Sequence, residues 1–300
     1  MSRTIRIGTR GSKLALWQAK YTQRELAGNG LASELRVIRT QGDRIQHLSF
    51  DKMEGKGFFT KEIEEALLRE EVDLAVHSLK DLPTQHPPGL VLAGLSERAD
   101  PADWLIRRPD RRAKGMLFNL PEGAVVGTSS ARRKAQMLAF RPDLQMKDIR
   151  GNVPTRLGKL QDGHFDAILL AAAGVTRIET DLSGFEVLPF HPKEFIPAPG
   201  QGVLGWQVRE SDLELRRFLR QVHQSKTADC TNVERAVLRL FGGGCHMPLG
   251  VYCERDPQGY YHVWAAMAET WNSPLRRTRQ SSSTRYKLAE QVVEALKQPA

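Results

Sequence analysis

Two hydrophobic periods alternate along the chain. Ile5-Arg6-Ile7 steps at period two and predicts a short strand. It breaks into Gly8-Thr9-Arg10-Gly11-Ser12, a turn whose Ser12 is a good helix N-cap, and Leu14, Leu16, Trp17 and Ala19 then supply a helix. Residues 35–38 predict a second strand, and Gly55-Lys56-Gly57-Phe58-Phe59 a glycine-punctuated loop. Thr60 is expected to cap the next helix, with Ile63, Ala66 and Leu67 as its buried stripe. Asp73-Leu74-Ala75-Val76 is a compact apolar run of the kind buried in a parallel sheet. It ends in His77, Ser78, Lys80 and Asp81.

The pattern then repeats. Residues 96–101 read as a crossing between domains. Residues 124–126 predict a strand, Gly127-Thr128-Ser129-Ser130 a turn with a serine N-cap, and Ala131-Arg132-Arg133 the start of a helix. Residues 166–170 form a second buried strand ending in Ala-Gly and Arg177, echoing the run at 73–76. These echoes predict two α/β domains of similar architecture, each offering a helix N-terminus to a shared cleft. Arg150-Gly151-Asn152 and Arg156 fall at a further strand-to-helix junction. Pro197-Ala198-Pro199-Gly200-Gln201-Gly202 reads as a return connection, followed by a strand at 203–208. From about Leu213 the chain predicts a small α+β unit. It holds a helix with Val233, Ala236, Val237 and Leu240 on one face, strands near 249–253, 260–266 and 280–285, and a closing helix at 288–296. Gly242-Gly243-Gly244 stops the first of these helices and presents Cys245 on a short loop.

Composition narrows the chemistry. At 300 residues the chain can bury two or three cores. No apolar run reaches membrane-spanning length, and Met1 to Ile7 lacks an apolar signal region, so a cytoplasmic protein is expected. Cys230, Cys245 and Cys253 have no metal-ligand spacing, which argues for a reducing setting and against a metal site or disulfide framework. The formal charge of +9 suits an anionic partner or simply a solvated basic surface. No basic run or nucleic-acid motif is present. The helix-opening turns are natural anion sites, and arginine forks beside them pair with carboxylate or phosphate. Lys80 and Asp81 at a strand's carboxyl end fit a ligand site or a surface ion pair. Cys245 fits a covalent attachment point or a small buried thiol.

Taken in order, these segments resemble the porphobilinogen deaminase (hydroxymethylbilane synthase) family. The resemblance rests on Gly8-Thr9-Arg10-Gly11-Ser12, Gly55-Lys56-Gly57 with Phe59, and Asp73 to Pro83. It continues in Val126-Gly127-Thr128-Ser129-Ser130 with Arg132-Arg133, Arg150-Gly151-Asn152 with Arg156, Gly200-Gln201-Gly202, and Glu234-Arg235-Ala236 leading to Cys245. It implies two periplasmic-binding-protein-like (type 2) α/β domains plus a C-terminal α+β domain with an antiparallel sheet. The expected boundaries are 1–97 with 199–215, then 98–198, then 216–300. It also implies a dipyrromethane cofactor joined by a thioether to Cys245, and a monomer that elongates it with porphobilinogen. Asp81 matches the catalytic aspartate. Lys80, Thr128, Ser129, Arg132, Arg133 and Arg150 match cofactor-binding positions. Arg10, Ser12, Lys56, Phe59, Arg156, Arg177 and Gln201 match substrate-binding ones.

Two other readings compete. Cys245 and His246 could act as nucleophile and base, but neighbours on a tight loop reach each other poorly, and a helix C-terminus disfavours a thiolate. A two-lobed anion receptor is the other, yet it has no use for Cys245 or for an aspartate among arginines.

Overall fold

The computed structural model describes residues 3–243 and 247–298 apart from 41–59. Lys56, Phe59 and Cys245 therefore lie outside the described residues. Two compact units emerge: one holds the chain up to residue 99 together with 202–229, the other 100–201 and the residues from 230 onward. Elements are numbered here in chain order.

The first unit is built on a five-stranded sheet. Strands β1 (Ile5–Thr9), β2 (Ser33–Val37), β3 (Leu74–Ser78), β4 (Leu90–Leu95) and β10 (Leu204–Arg209) lie in the order β2-β1-β3-β10-β4. β1 runs parallel to β2 and β3, whereas β10 is antiparallel to β3 and β4. Helices α1 (Lys13–Gly28) and α2 (Lys61–Leu68) cover it. Ile63, Ala66 and Leu67 are buried on α2 as expected. On α1 the buried positions are Gln18, Ala19, Thr22 and Leu26, while Leu14, Leu16 and Trp17 are only half-buried. Trp206 of β10 fills the core and donates through Nε1 to Thr22 Oγ1 at 2.9 Å, which explains the polar residue on the helix's buried face. Helix α6 (Leu213–Val222) packs Leu215, Leu219 and Val222 into the same core, so this unit extends past the residue 215 read from sequence.

The second unit repeats the plan. Strands β5 (Asp103–Arg107), β6 (Val125–Gly127), β7 (Gln145–Lys147), β8 (Ala167–Ala171) and β9 (Glu186–Pro189) lie in the order β7-β6-β8-β5-β9. β6 is parallel to β7 and β8, and β5 antiparallel to β8 and β9. The sequence echo thus marks equivalent strands, β1 with β6 and β3 with β8. One shared device fixes each pair. Asp73, just before β3, accepts the Arg6 N–H at 3.0 Å, and Asp166, just before β8, accepts the Val125 N–H at 2.7 Å.

This unit also carries a three-stranded antiparallel sheet, β11 (Leu249–Arg255), β12 (Tyr261–Met267) and β13 (Arg276–Ser282). Helix α7 (Ser225–Leu240) and closing helix α8 (Leu288–Lys297) share its core through Val233, Val237, Val292 and Leu296. Leu240, expected on the buried face, is 43% exposed, and Cys230 and Leu238 are buried instead. β13 begins four residues before the strand read from sequence, because its Arg–Arg–Thr–Arg pattern hides a half-exposed strand. The end of α7 is as expected: Gly242 has φ +67°, and the N–H groups of Gly243 and Gly242 close on Leu238 O at 3.2 Å and Arg239 O at 2.9 Å. That paired closure requires a residue that accepts positive φ. Among the described residues no helix is long and apolar enough to cross a membrane.

Candidate functional site

In the first unit the candidate chemistry gathers at the carboxyl ends of β1 and β3. Ser12 caps α1, its Oγ accepting the Ala15 N–H at 3.3 Å. Its hydroxyl is thereby engaged with the helix entrance, and Arg10 stands two residues earlier. After β3 the chain turns through one 3₁₀ turn, Leu79–Asp81. Leu79 and Leu82 are buried, and Leu79 N–H donates to Val203 O at 2.9 Å. Those two anchors bracket Lys80 and Asp81, leaving Lys80 half-buried and Asp81 exposed. Arg10, Gln18, Thr60, His77, Ser78 and Asp81 all line one pocket of about 50 Å³. A cation and an anion therefore face one space, which Ala15 and Gln18 of α1 also line.

Beneath that pocket runs a polar chain that the sequence did not reveal. Gln207 Nε2 donates to Glu64 Oε1 at 2.9 Å, so its Oε1 is left to accept from His77 Nε2 at 3.1 Å. Burial, the largest influence, pushes the His77 pKa down to about 4, so the ring is neutral. Thr60 does not cap α2 with its side chain. It donates instead to Glu64 Oε2 at 3.3 Å. Gln18, also unforeseen, holds Ser78 Oγ at 2.8 Å.

In the second unit the equivalent junction opens helix α3 (Ala131–Phe140), with Ser130 as N-cap. Thr128 Oγ1 accepts the Ser130 N–H at 3.2 Å. Ser129 donates its hydroxyl proton to Ile149 O at 2.8 Å and accepts the Ile149 N–H at 3.1 Å, which leaves that hydroxyl no proton for a ligand. Arg132 and Arg133 are both buried, and both bind Asp103. Burial pushes the Asp103 carboxyl up, but the two guanidinium charges outweigh it and hold the group well below the usual carboxylate range. Gln201, matched to substrate binding, is buried as well and donates to Asp103 Oδ1 at 2.9 Å and Pro101 O at 2.7 Å.

Arg150 and Arg156 flank the entrance of helix α4 (Val153–Gln161), where Asn152 is the N-cap. Arg156 Nε donates to Gly151 O at 2.8 Å, and Lys159 to Arg150 O at 3.2 Å. Burial lowers the Arg150 pKa from its ordinary value. Arg177 ends helix α5 (Ala172–Arg177) after β8. Sequence reasoning passed over Asp103 and Glu234's purpose. Glu234 is fully buried and accepts the Gly200 N–H at 2.7 Å and the Cys253 N–H at 2.8 Å, tying the return connection to β11. A readable signal did exist for Asp103. Like Asp73 and Asp166, it directly precedes an apolar strand run. Among the described residues no cluster of His, Cys, Asp or Glu could hold a metal ion.

Comparison with known proteins bears on this arrangement. Residues 5–217 match the family model described as "Porphobilinogen deaminase, dipyromethane cofactor binding domain". A porphobilinogen deaminase of Chloroherpeton thalassium is 45% identical over 264 residues, 87% of this chain and 82% of the relative. One from Gloeobacter violaceus is 48% identical over 262 residues, 86% of this chain and 79% of the relative. Among solved structures, an ancestral arginine-binding protein bound to arginine superposes with a TM-score of 0.41 at 15% identity, covering 73% of this chain and 90% of that one.

Proposed function

This chain belongs to the porphobilinogen deaminase family, and from that premise we propose that it condenses four porphobilinogen molecules head to tail. Ammonia is lost at each step, and the linear tetrapyrrole hydroxymethylbilane is released. The observation that supports this best is the pocket shared by Asp81 and Arg10 over the α1 entrance. The reaction asks for a carboxylate beside a cation, and this pocket pairs Asp81 with Arg10.

The cofactor implied by the family is a dipyrromethane, a polycarboxylate. The donors present suit one. Arg132 is buried yet engages only its Nη1 with described residues, leaving Nε and Nη2 as donors. Lys80, Thr128, Ser129, Arg133 and Arg150 occupy the other cofactor-binding positions, and Cys245 carries the thioether. When bound, the group supplies the pyrrole α-carbon that is extended. Arg10, Arg156 and Arg177 pair with the acetate and propionate of porphobilinogen, Ser12, Lys56 and Phe59 are further substrate contacts, and Gln201 supports Asp103.

Asp81 performs the proton chemistry. Departure of ammonia from porphobilinogen leaves positive charge spread over the pyrrole, including its N–H. The Asp81 carboxylate accepts that N–H and offsets the growing charge. With the group bound, the Asp81 carboxylate would be the acceptor for the proton released from the extended pyrrole carbon. A preorganised charged group of this kind lowers a barrier by roughly 3–4 kcal/mol, or about 10²–10³ in rate. A three-domain division, a cytoplasmic setting and a monomeric chain complete the reading.

The test is direct. Wild-type chain supplied with porphobilinogen should form hydroxymethylbilane. Asp81→Asn should lose at least about 10²-fold in turnover while melting as wild type does. Near-normal turnover in that variant would remove Asp81 from the mechanism.

A further inference from the structure

The paired arginines at the start of α3 differ in what they have left to give. Arg133 is the more fully engaged: Nε and Nη2 both donate to Asp103 Oδ1, at 3.1 and 2.6 Å, and Nη1 donates to Leu169 O at 2.9 Å. Every nitrogen of its guanidinium is held by protein. Arg132 is held at one nitrogen only, Nη1, which donates to Asp103 Oδ2 at 2.7 Å and to Ile196 O at 2.8 Å. Ile196 is itself fixed on both sides by Gln136, through Gln136 Nε2 to Ile196 O at 2.9 Å and Ile196 N–H to Gln136 Oε1 at 2.7 Å. Gln201 completes the set around Asp103. One fully buried carboxylate thus accepts from three side chains on two separate segments.

We infer that Asp103 is a positioning residue which uses Arg133 as a strut and holds Arg132 by one edge, so that Arg132 is the member of the pair that binds ligand carboxylate. This inference rests on the function proposed above. The physical basis is the planarity of guanidinium. With Nη1 fixed by two acceptors, the plane of Arg132 cannot swing, and Nε with Nη2 present the flat, two-pronged edge that matches a carboxylate. Arg133 supplies the second positive charge that keeps Asp103 ionised after Arg132 is shared with a ligand. Without that strut, a ligand carboxylate and Asp103 would compete for a single cation.

The experiment uses the full chain and reads two quantities on each variant: the fraction carrying the covalent dipyrromethane by intact mass after incubation with porphobilinogen, and the melting temperature. Arg132→Gln should melt within about 3 °C of wild type, because Arg133 and Gln201 still hold Asp103, and should load less than a tenth as much. Arg133→Gln and Asp103→Asn each strand a buried charge or donor and should lower melting by about 5–10 °C. The decisive comparison is made on Asp103→Asn well below its melting temperature, where the folded fraction matches that of wild type. Loading should still stay below about a third of wild type, because Arg132 is no longer aimed.

Full loading in folded Asp103→Asn would make Asp103 a folding residue only, and would overturn the inference. So would Arg132→Gln that loads as wild type does. If wild-type chain itself neither loads nor consumes porphobilinogen, the proposed function fails instead, and the two failures are thereby separate.

Discussion

Replacing His77 by Gln should flatten the acid sensitivity of the first unit. His77 is 6% exposed on β3, donates through Nε2 to Gln207, and has His86 across the same amide. Its pKa is lowered from 6.5 to about 4, by burial first and then by His86, with Gln207 opposing. A histidine with a depressed folded pKa binds fewer protons folded than unfolded between those two values. Stability is therefore full above about pH 6.5 and is lost as pH falls toward 4. At pH 5 the linkage relation gives a loss of about 2 kcal/mol relative to pH 7.5, at about 1.4 kcal/mol per pKa unit. Hydrogen exchange at the β3 amides reads the opening of this sheet locally. Wild-type protection should weaken by roughly 30-fold between pH 7.5 and 5 after correction for intrinsic exchange. In His77→Gln, which keeps an amide donor for Gln207, that contribution should vanish. If wild type and variant weaken in parallel, His77 is not the titrating group, and the buried neutral ring is wrong.

Two further changes test the frame that holds the site. Asp73→Asn removes the carboxylate shared by Arg6, at 2.8 Å, and Arg209, at 3.0 Å, and should cost about 3 kcal/mol in urea unfolding at neutral pH. The Asp73 carboxyl is held well below the usual range, its burial being outweighed by the Arg6 hydrogen bonds, so the wild-type advantage should fade as pH falls below about 4. Gly202→Ala should cost at least about 2 kcal/mol, because φ is +90° and the new Cβ would stand 2.4 Å from Ala99 O, whereas Gly184→Ala, with open space around it, should be near neutral.

The repeated strand–turn–helix junctions were legible because their punctuation is local. Ser12, Ser130 and Asn152 each cap the helix they precede, and Gly242 ends α7. What was not legible depends on partners far along the chain. Leu240 has the right helical spacing, yet in the last turn of α7 Val237 and Leu238 turn into the core and Leu240 is 43% exposed. Thr60 sits where a cap belongs, but Glu64 takes its hydroxyl. Arg132, Arg133 and Gln201 were readable as functional residues. That they converge on Asp103 was not, since the four come from three stretches up to 98 residues apart. The division between a strut arginine and a presented one therefore cannot be read from two identical adjacent letters.

The central claim is that Cys245 tethers a polycarboxylate primer which Asp81 and the surrounding cations extend. Intact mass of the purified full chain tests it most directly. The account predicts an excess over the sequence mass equal to one dipyrromethane, absent in Cys245→Ser and present in Asp81→Asn. An unmodified chain that still turns porphobilinogen into hydroxymethylbilane would contradict it.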